Sequence, residues 1–447
     1  MVSIFYEQVF IHLFLTFLSK IRIMVLHLDE HFPLVIISAL SLVFISLLFL
    51  HAAEGAPSVS DNNLKVETVT QGLSSPTSMA FIDSKNILVL EKNTGKVRLI
   101  SNGLLKSSPV LTVSVNGESE RGLLGVATLT RTSVSGNNKI FVFIYYTEQI
   151  GSQELRNKVY RYEWTGSSLT NRALILNLPA LPGPNHDGGK LLVSSDKNLY
   201  VIIGDVNHNG KLQNNKDGPD PDDTGVIFRI DKPDTVSTVA NVQNPFTLTE
   251  TQDLLSKYYA YGIRNSFGLA MDGLTGRLWQ TENGPNNYDE INYIRHHVNG
   301  VNTGFNSGWN KVMGPISRTQ VTPDQLVNFP GFKYHDPVFS WKKPIAVTGL
   351  AFFHSSKLGT KYKDNLFVGD YLNGNLYFFK VNSERSGLIF DSNQQALKDL
   401  VADDENESTS IKFGSGFNGI TDVKRSPDGL LYVVSIKDGK LYRIVPK

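Results

Sequence analysis

The chain has 447 residues, 41% of them apolar and 19% charged, enough for one large globular domain or two to three ordinary ones. Lysine plus arginine (43) balances aspartate plus glutamate (42), so there is no basic footprint for nucleic acid. Cysteine is absent, which excludes disulfides, thiolate metal sites, iron–sulfur clusters and cysteine nucleophiles together.

Residues 34–53 are almost continuously apolar and end in the small-residue stretch His51-Ala52-Ala53-Glu54-Gly55-Ala56-Pro57. About twenty apolar residues suffice to span a bilayer as a helix, and small residues at its end suit signal cleavage. Residues 1–57 therefore read as a signal peptide or membrane anchor, with Met24 a candidate start, and the body of the chain is expected outside the cytoplasmic membrane. Pro57 to Asn63 reads as a linker, and 58–447 as the folded domain.

Beyond it the chain is strand-rich, with one short helical candidate near residues 251–258. An apolar strand, a turn with Asp, Asn or Gly, and a Leu-x-Val-like strand recur from residues 78, 123, 189, 267, 348 and 420. Six copies at a period near ~60 residues predict an all-β, six-bladed β-propeller, because a strand pair with one apolar face is buried only by stacking on its neighbours. A β-sandwich with inserted loops is the alternative. A propeller puts functional residues on turns at one end of the axis, and four turns have unusual composition.

The first turn is Glu118-Ser119-Glu120-Arg121-Gly122-Leu123-Leu124-Gly125. The second, Gly183-Pro184-Asn185-His186-Asp187-Gly188-Gly189-Lys190, sets an imidazole between polar neighbours in a glycine-rich turn, where it suits proton transfer near neutral pH. The third, Tyr261-Gly262-Ile263-Arg264-Asn265-Ser266-Phe267-Gly268, offers a guanidinium fork for carboxylates or carbonyl oxygens. The fourth runs Glu282-Asn283-Gly284-Pro285-Asn286-Asn287-Tyr288-Asp289-Glu290-Ile291-Asn292 and is dense in the hard oxygen donors calcium prefers. A further acidic turn, residues 217–223, is a weaker cation candidate.

These turns, in this order on strand repeats, resemble the glucose/sorbosone dehydrogenase family, over about Leu64 to Lys447. The resemblance implies pyrroloquinoline quinone (PQQ) and calcium as cofactors and oxidation of the C1 hydroxyl of an aldose to its lactone, with hydride passing to the quinone. It makes His186 the general base, Arg264 and Asn265 the contacts to the quinone oxygens, and Gly284 and Pro285 the carbonyls that hold the cofactor's calcium. Glu120 and Asn185 fall at positions beside the sugar, and Glu290 with Ser307 at a separate structural calcium. The implied partners are a sugar and an electron acceptor, with the membrane touched only through the N-terminal segment. Departures lie at Leu372, Gly419 and Thr421, where relatives that bind the tricarboxylate cofactor tightly carry Lys or Arg. Lys190, Lys311 and Lys424 are the candidates to compensate. The alternatives are a non-enzymatic extracytoplasmic propeller that binds a carbohydrate or protein partner, and a calcium-dependent hydrolase or lactonase.

Overall fold

Alternating apolar residues in short, turn-bounded runs favour antiparallel hairpins over helices, and the described chain is built almost entirely of them. The computed structural model describes residues 56–132, 138–151, 154–235, 258–294, 297–298, 301–302 and 304–447. Its strands form six sheets of four to six strands and one two-stranded ribbon. Each repeat seen in the sequence begins with the first strand of one large sheet: Pro76–Phe81, Leu123–Thr132, Leu191–Val193, Gly268–Asp272, Val347–Phe353 and Ile420–Arg425. These first strands lie side by side in that order, and the last returns to the first, closing a ring. The protein is an all-β propeller.

The apolar side chains partition accordingly. Met79, Val89, Tyr432 and Val434 pack between the last and first sheets of the ring, and Phe143, Tyr145, Val201 and Phe228 between the second and third. Trp279, Phe339, Trp341 and Phe379 fill the space between the fourth and fifth. Around the axis the first strands approach so closely that only glycine fits at some positions. A Cβ on Gly125 would lie 1.9 Å from the Gly189 carbonyl oxygen, and one on Gly268 would lie 2.1 Å from that of Thr348.

The ring is fastened by its ends. Leu64–Gln71 pairs antiparallel with the C-terminal strand Lys440–Pro446, in the register Leu64↔Pro446 and Val66↔Ile444. The expected linker is structured: Ser58–Val59 adds to the edge of Lys412–Ser415 in the neighbouring sheet, because its extended backbone meets an unpaired edge. Pro57–Lys447 forms one compact unit. The apolar N-terminal segment and residues 251–257 of the helical candidate lie outside the described residues, and Tyr258 opens the strand Tyr258–Tyr261. Among the described residues no helix is long and apolar enough to cross a membrane.

Candidate functional site

In an antiparallel sheet the start of the first strand and the end of the second lie at the same edge. Six sheets in a ring therefore gather twelve such segments at one mouth of the axis. A cavity of about 600 Å3 opens there, lined by residues from every large sheet, among them Thr77, Lys92, Glu120, His186, Arg264 and Ile436. Six of the residues expected at a site come together on its wall: Glu120, Asn185, His186, Arg264, Asn265 and Gly284. Leu372 and Thr421 line it too.

His186 adopts a left-handed backbone with φ 67°, a conformation that costs energy in a non-glycine residue and persists where the surroundings enforce it. Its backbone N–H donates to Glu120 Oε2 at 2.6 Å, and the same oxygen accepts from Asn265 Nδ2 at 3.0 Å. Glu120 thus bridges the second and third unusual turns. His186 Nδ1 lies 2.7 Å from Asp205 Oδ1. Asp205 also accepts from the Asn207 N–H at 2.7 Å and, through its other oxygen, from Trp309 Nε1 at 2.6 Å. A carboxylate held from both sides makes Nδ1 the protonated nitrogen and leaves Nε2 as the acceptor.

Arg264 forms the adjoining wall. Its backbone N–H donates to Glu282 Oε1 at 2.7 Å, and its guanidinium donates to the carbonyls of Asn283 at 2.9 Å and Gly284 at 3.2 Å. The Trp309 ring lies 5.3 Å beneath it. Asn265 Nδ2 is committed to Glu120 and Asn283 Nδ2 to the Val347 carbonyl, so both amide oxygens are identified by their partners, and both are buried with nothing to accept from. Paired orphan acceptors beside the Gly284 carbonyl fit a hard cation or a hydrogen-bond donor. The neighbouring guanidinium of Arg264, which lines the cavity, fits an anionic or carbonyl oxygen. The wall therefore offers both hydrogen-bond donors and acceptors to an oxygen-bearing ligand.

Glu290 and Ser307 do not reach the cavity wall. They sit in a buried cluster with Glu282 and Asn292: Ser307 Oγ donates to Glu282 Oε2 at 2.6 Å, and Asn292 Nδ2 to Glu290 Oε2 at 2.9 Å. Burial pushes both carboxyls above their ordinary values, and the proximity of Glu282 pushes Glu290 further. Pro285 is not among the lining residues. Among the described residues no three His, Cys, Asp or Glu side chains converge as a metal-binding group, so a cation here would lean on backbone and amide oxygens. The acidic turn at 217–223 has its own partners, Lys211 on Asp220 at 2.6 Å and His208 on Asp222 at 2.6 Å.

Of the three compensating lysines, Lys190 lines the cavity but is paired with Asp422 at 2.5 Å. Lys424 lies behind it, 3.9 Å from the same Asp422. Lys311 is exposed and off the wall.

The sequence reading missed Asp205 and Trp309. A signal for the former exists. The second strands of three sheets end in an acid, at Glu91, Glu282 and Asp370, and Asp205 follows the end of Leu199–Ile203 by two residues; an acid at that edge stands at the mouth of the axis.

Fold and site together define a propeller with a small-molecule cavity at one end of its axis, carrying an imidazole–carboxylate pair beside an arginine wall. The chain belongs to the glucose/sorbosone dehydrogenase family, which matches residues 73–443. It is similar to the aldose sugar dehydrogenase YliI of Escherichia coli (strain K12), at 25% identity over 405 residues, covering 86% of this chain and 93% of that protein. It is also similar to quinoprotein glucose dehydrogenase B of Acinetobacter calcoaceticus, at 26% identity over 273 residues, 56% of this chain and 53% of that one. The PQQ-bound aldose sugar dehydrogenase of Streptomyces coelicolor shares the fold, with a TM-score of 0.56, 20% identity, and coverage of 88% of this chain and all of that one (100%).

Proposed function

We propose that the chain is a six-bladed, PQQ- and calcium-dependent aldose dehydrogenase that oxidises the C1 hydroxyl of a sugar to its lactone and works outside the cytoplasmic membrane behind the segment 1–57. The observation that carries this is the His186–Asp205 pair on the wall of an axial cavity beside Arg264. Family membership supports the chemistry, the six ring-closing sheets support the blade count, and the apolar N-terminal segment supports the location.

His186 takes the hydroxyl proton at Nε2, while Asp205 fixes the tautomer and stabilises the imidazolium that forms. The quinone, when bound, supplies the two-electron acceptor that an oxidation needs and the protein lacks. Arg264 would meet an oxygen at which negative charge develops, as a preorganised donor on the cavity wall. The Gly284 carbonyl, with the amide oxygens of Asn265 and Asn283, would hold the cation. Asn185 and Ser119, hydrogen-bonded to each other at the rim, orient the sugar, and Glu120 holds the His186 turn from the same edge. Glu290 and Ser307 would hold a second, structural calcium. An external electron acceptor would be needed to take up the two electrons.

The test is reduction of a redox dye by glucose and other aldoses after adding PQQ and calcium. His186→Ala should lower kcat by about 10^2–10^4-fold, and Asp205→Asn should lower it by a comparable factor with KM little changed, because the wrong tautomer is then favoured. Absence of both turnover and cofactor binding would overturn the proposal and favour the binding-only propeller.

A further inference from the structure

Two positions on the cavity wall and one beside it lack a cation. Leu372 and Thr421 line it with an apolar and a short polar side chain. Gly419 carries none and has φ +80°, a left-handed backbone that strains any L side chain. The space at Gly419 is already taken. A Cβ there would lie 3.1 Å from Ile436 Cγ2, 3.3 Å from the Tyr371 carbonyl oxygen and 3.4 Å from Lys437 Cε. Ile436 is the nearest neighbour, and the alkyl stem of Lys437, from the turn between Leu431–Ser435 and Lys440–Pro446 of the same sheet, is also in contact. The two turns are joined by backbone bonds from the Ile436 N–H to the Gly419 carbonyl (3.0 Å) and the Lys437 N–H to the Asn418 carbonyl (3.3 Å).

The head of that lysine is placed. Lys437 is exposed and lies outside the cavity lining, but its Nζ stands 5.0 Å from the centroid of the Tyr371 ring, and Tyr371, like Ile436, lines the cavity. An ammonium on an exposed aromatic face keeps its charge and its donors available. Among the described residues no carboxylate lies within salt-bridge distance of it, whereas Lys190 is tied to Asp422. Asp438, next in sequence, accepts from Asn418 Nδ2 and Tyr442 OH instead.

We propose that Lys437, seated on Tyr371 and occupying the space beside Gly419, supplies the rim cation that binds a carboxylate of the polyanionic cofactor. This rests on the dehydrogenase reading, since it is the tricarboxylate PQQ that needs cations at this rim. Lys437 is a binding residue and takes no part in proton transfer.

The experiment is titration calorimetry of the full chain with PQQ in the presence of calcium, at two salt concentrations, for wild type, Lys437→Ala, Lys437→Arg and Lys311→Ala. Lys311 is an exposed lysine off the cavity wall and controls for net charge. Losing a charge-assisted bond should raise the Kd for PQQ about tenfold or more in Lys437→Ala, with a shallower salt dependence. Lys437→Arg should stay within about threefold of wild type, and Lys311→Ala should be unchanged. Equal affinity of wild type and Lys437→Ala overturns the assignment while leaving the dehydrogenase reading intact, as does an equal loss in Lys311→Ala. No binding of PQQ by the wild type overturns both.

Discussion

Asp272 is fully buried where the fourth and fifth sheets meet. Its Oδ2 accepts from Arg385 Nε at 2.8 Å and Thr275 Oγ1 at 3.0 Å, its Oδ1 accepts from the Leu274 N–H at 3.1 Å, and His354 lies 3.3 Å away. Burial alone would raise its carboxyl, but the His354 and Arg385 bonds outweigh burial and hold it well below the ordinary 3.8. A group depressed in the folded state adds stability above its unfolded pKa and loses it as pH falls through the folded one. The urea midpoint of the wild type should therefore fall as pH drops below about 4. Asp272→Asn should flatten that acid limb and cost about 3 kcal/mol at neutral pH, because it leaves a buried guanidinium uncompensated. Urea melts of both proteins at a series of pH values check this, and an unchanged acid limb in the variant would contradict it. The contrast with Asp205 is instructive. Both are buried and fully bonded, but one partner of Asp205 is an imidazole that faces a cavity, so the same device serves chemistry in one place and cohesion in the other.

At the scale of elements, the first strands of successive sheets pack with glycine at the contact. Gly125 of Leu123–Thr132 faces the Gly189 carbonyl, with no room for a methyl group. Gly125→Ala should therefore push two sheets apart and cost about 1–3 kcal/mol. Because Gly189 lies three residues from His186, turnover should fall more than the loss of folded protein accounts for; thermal melts beside specific activity separate the two effects. Such a contact is invisible in sequence, since a glycine in a strand says only that something approaches closely. The strand repeats themselves were legible, because alternation and turn residues are local properties, and each first strand was found where the repeat begins. His186, Arg264 and Gly284 were legible for the same reason, as atypical residues in turns between repeats. Asp205 carries only the weak signal of an acid just past a strand end, and its pairing with His186 is decided by curvature around the axis. The 57–63 stretch was misjudged because edge pairing depends on a strand about 355 residues away.

At the scale of the molecule, closure joins the two ends of the described chain. Leu64–Gln71 supplies the outer strand of the last sheet, whose other three strands come from the C-terminus. Arg443 reaches back to Glu67 at 2.9 Å, while Leu441, Tyr442 and Ile444 are buried in the clusters between this sheet and its neighbours. Pairing across nearly the whole chain bears a large loop entropy and is rewarded only when the intervening sheets are already stacked. The ring should therefore form cooperatively and fail as a unit. Deleting residues 440–447 removes four buried apolar side chains and leaves Leu64–Gln71 without its partner strand and Leu431–Ser435 paired on one side only, a loss on the scale of the 5–15 kcal/mol that stabilises a typical domain. The expected result is an aggregated or uncooperatively melting protein by size exclusion and circular dichroism, whereas deleting Lys447 alone should leave the midpoint unchanged. A truncated chain that still melts in one sharp transition would mean that the five preceding sheets stand without closure, and that the axial cavity owes its shape to neighbouring pairs of sheets instead of to the ring.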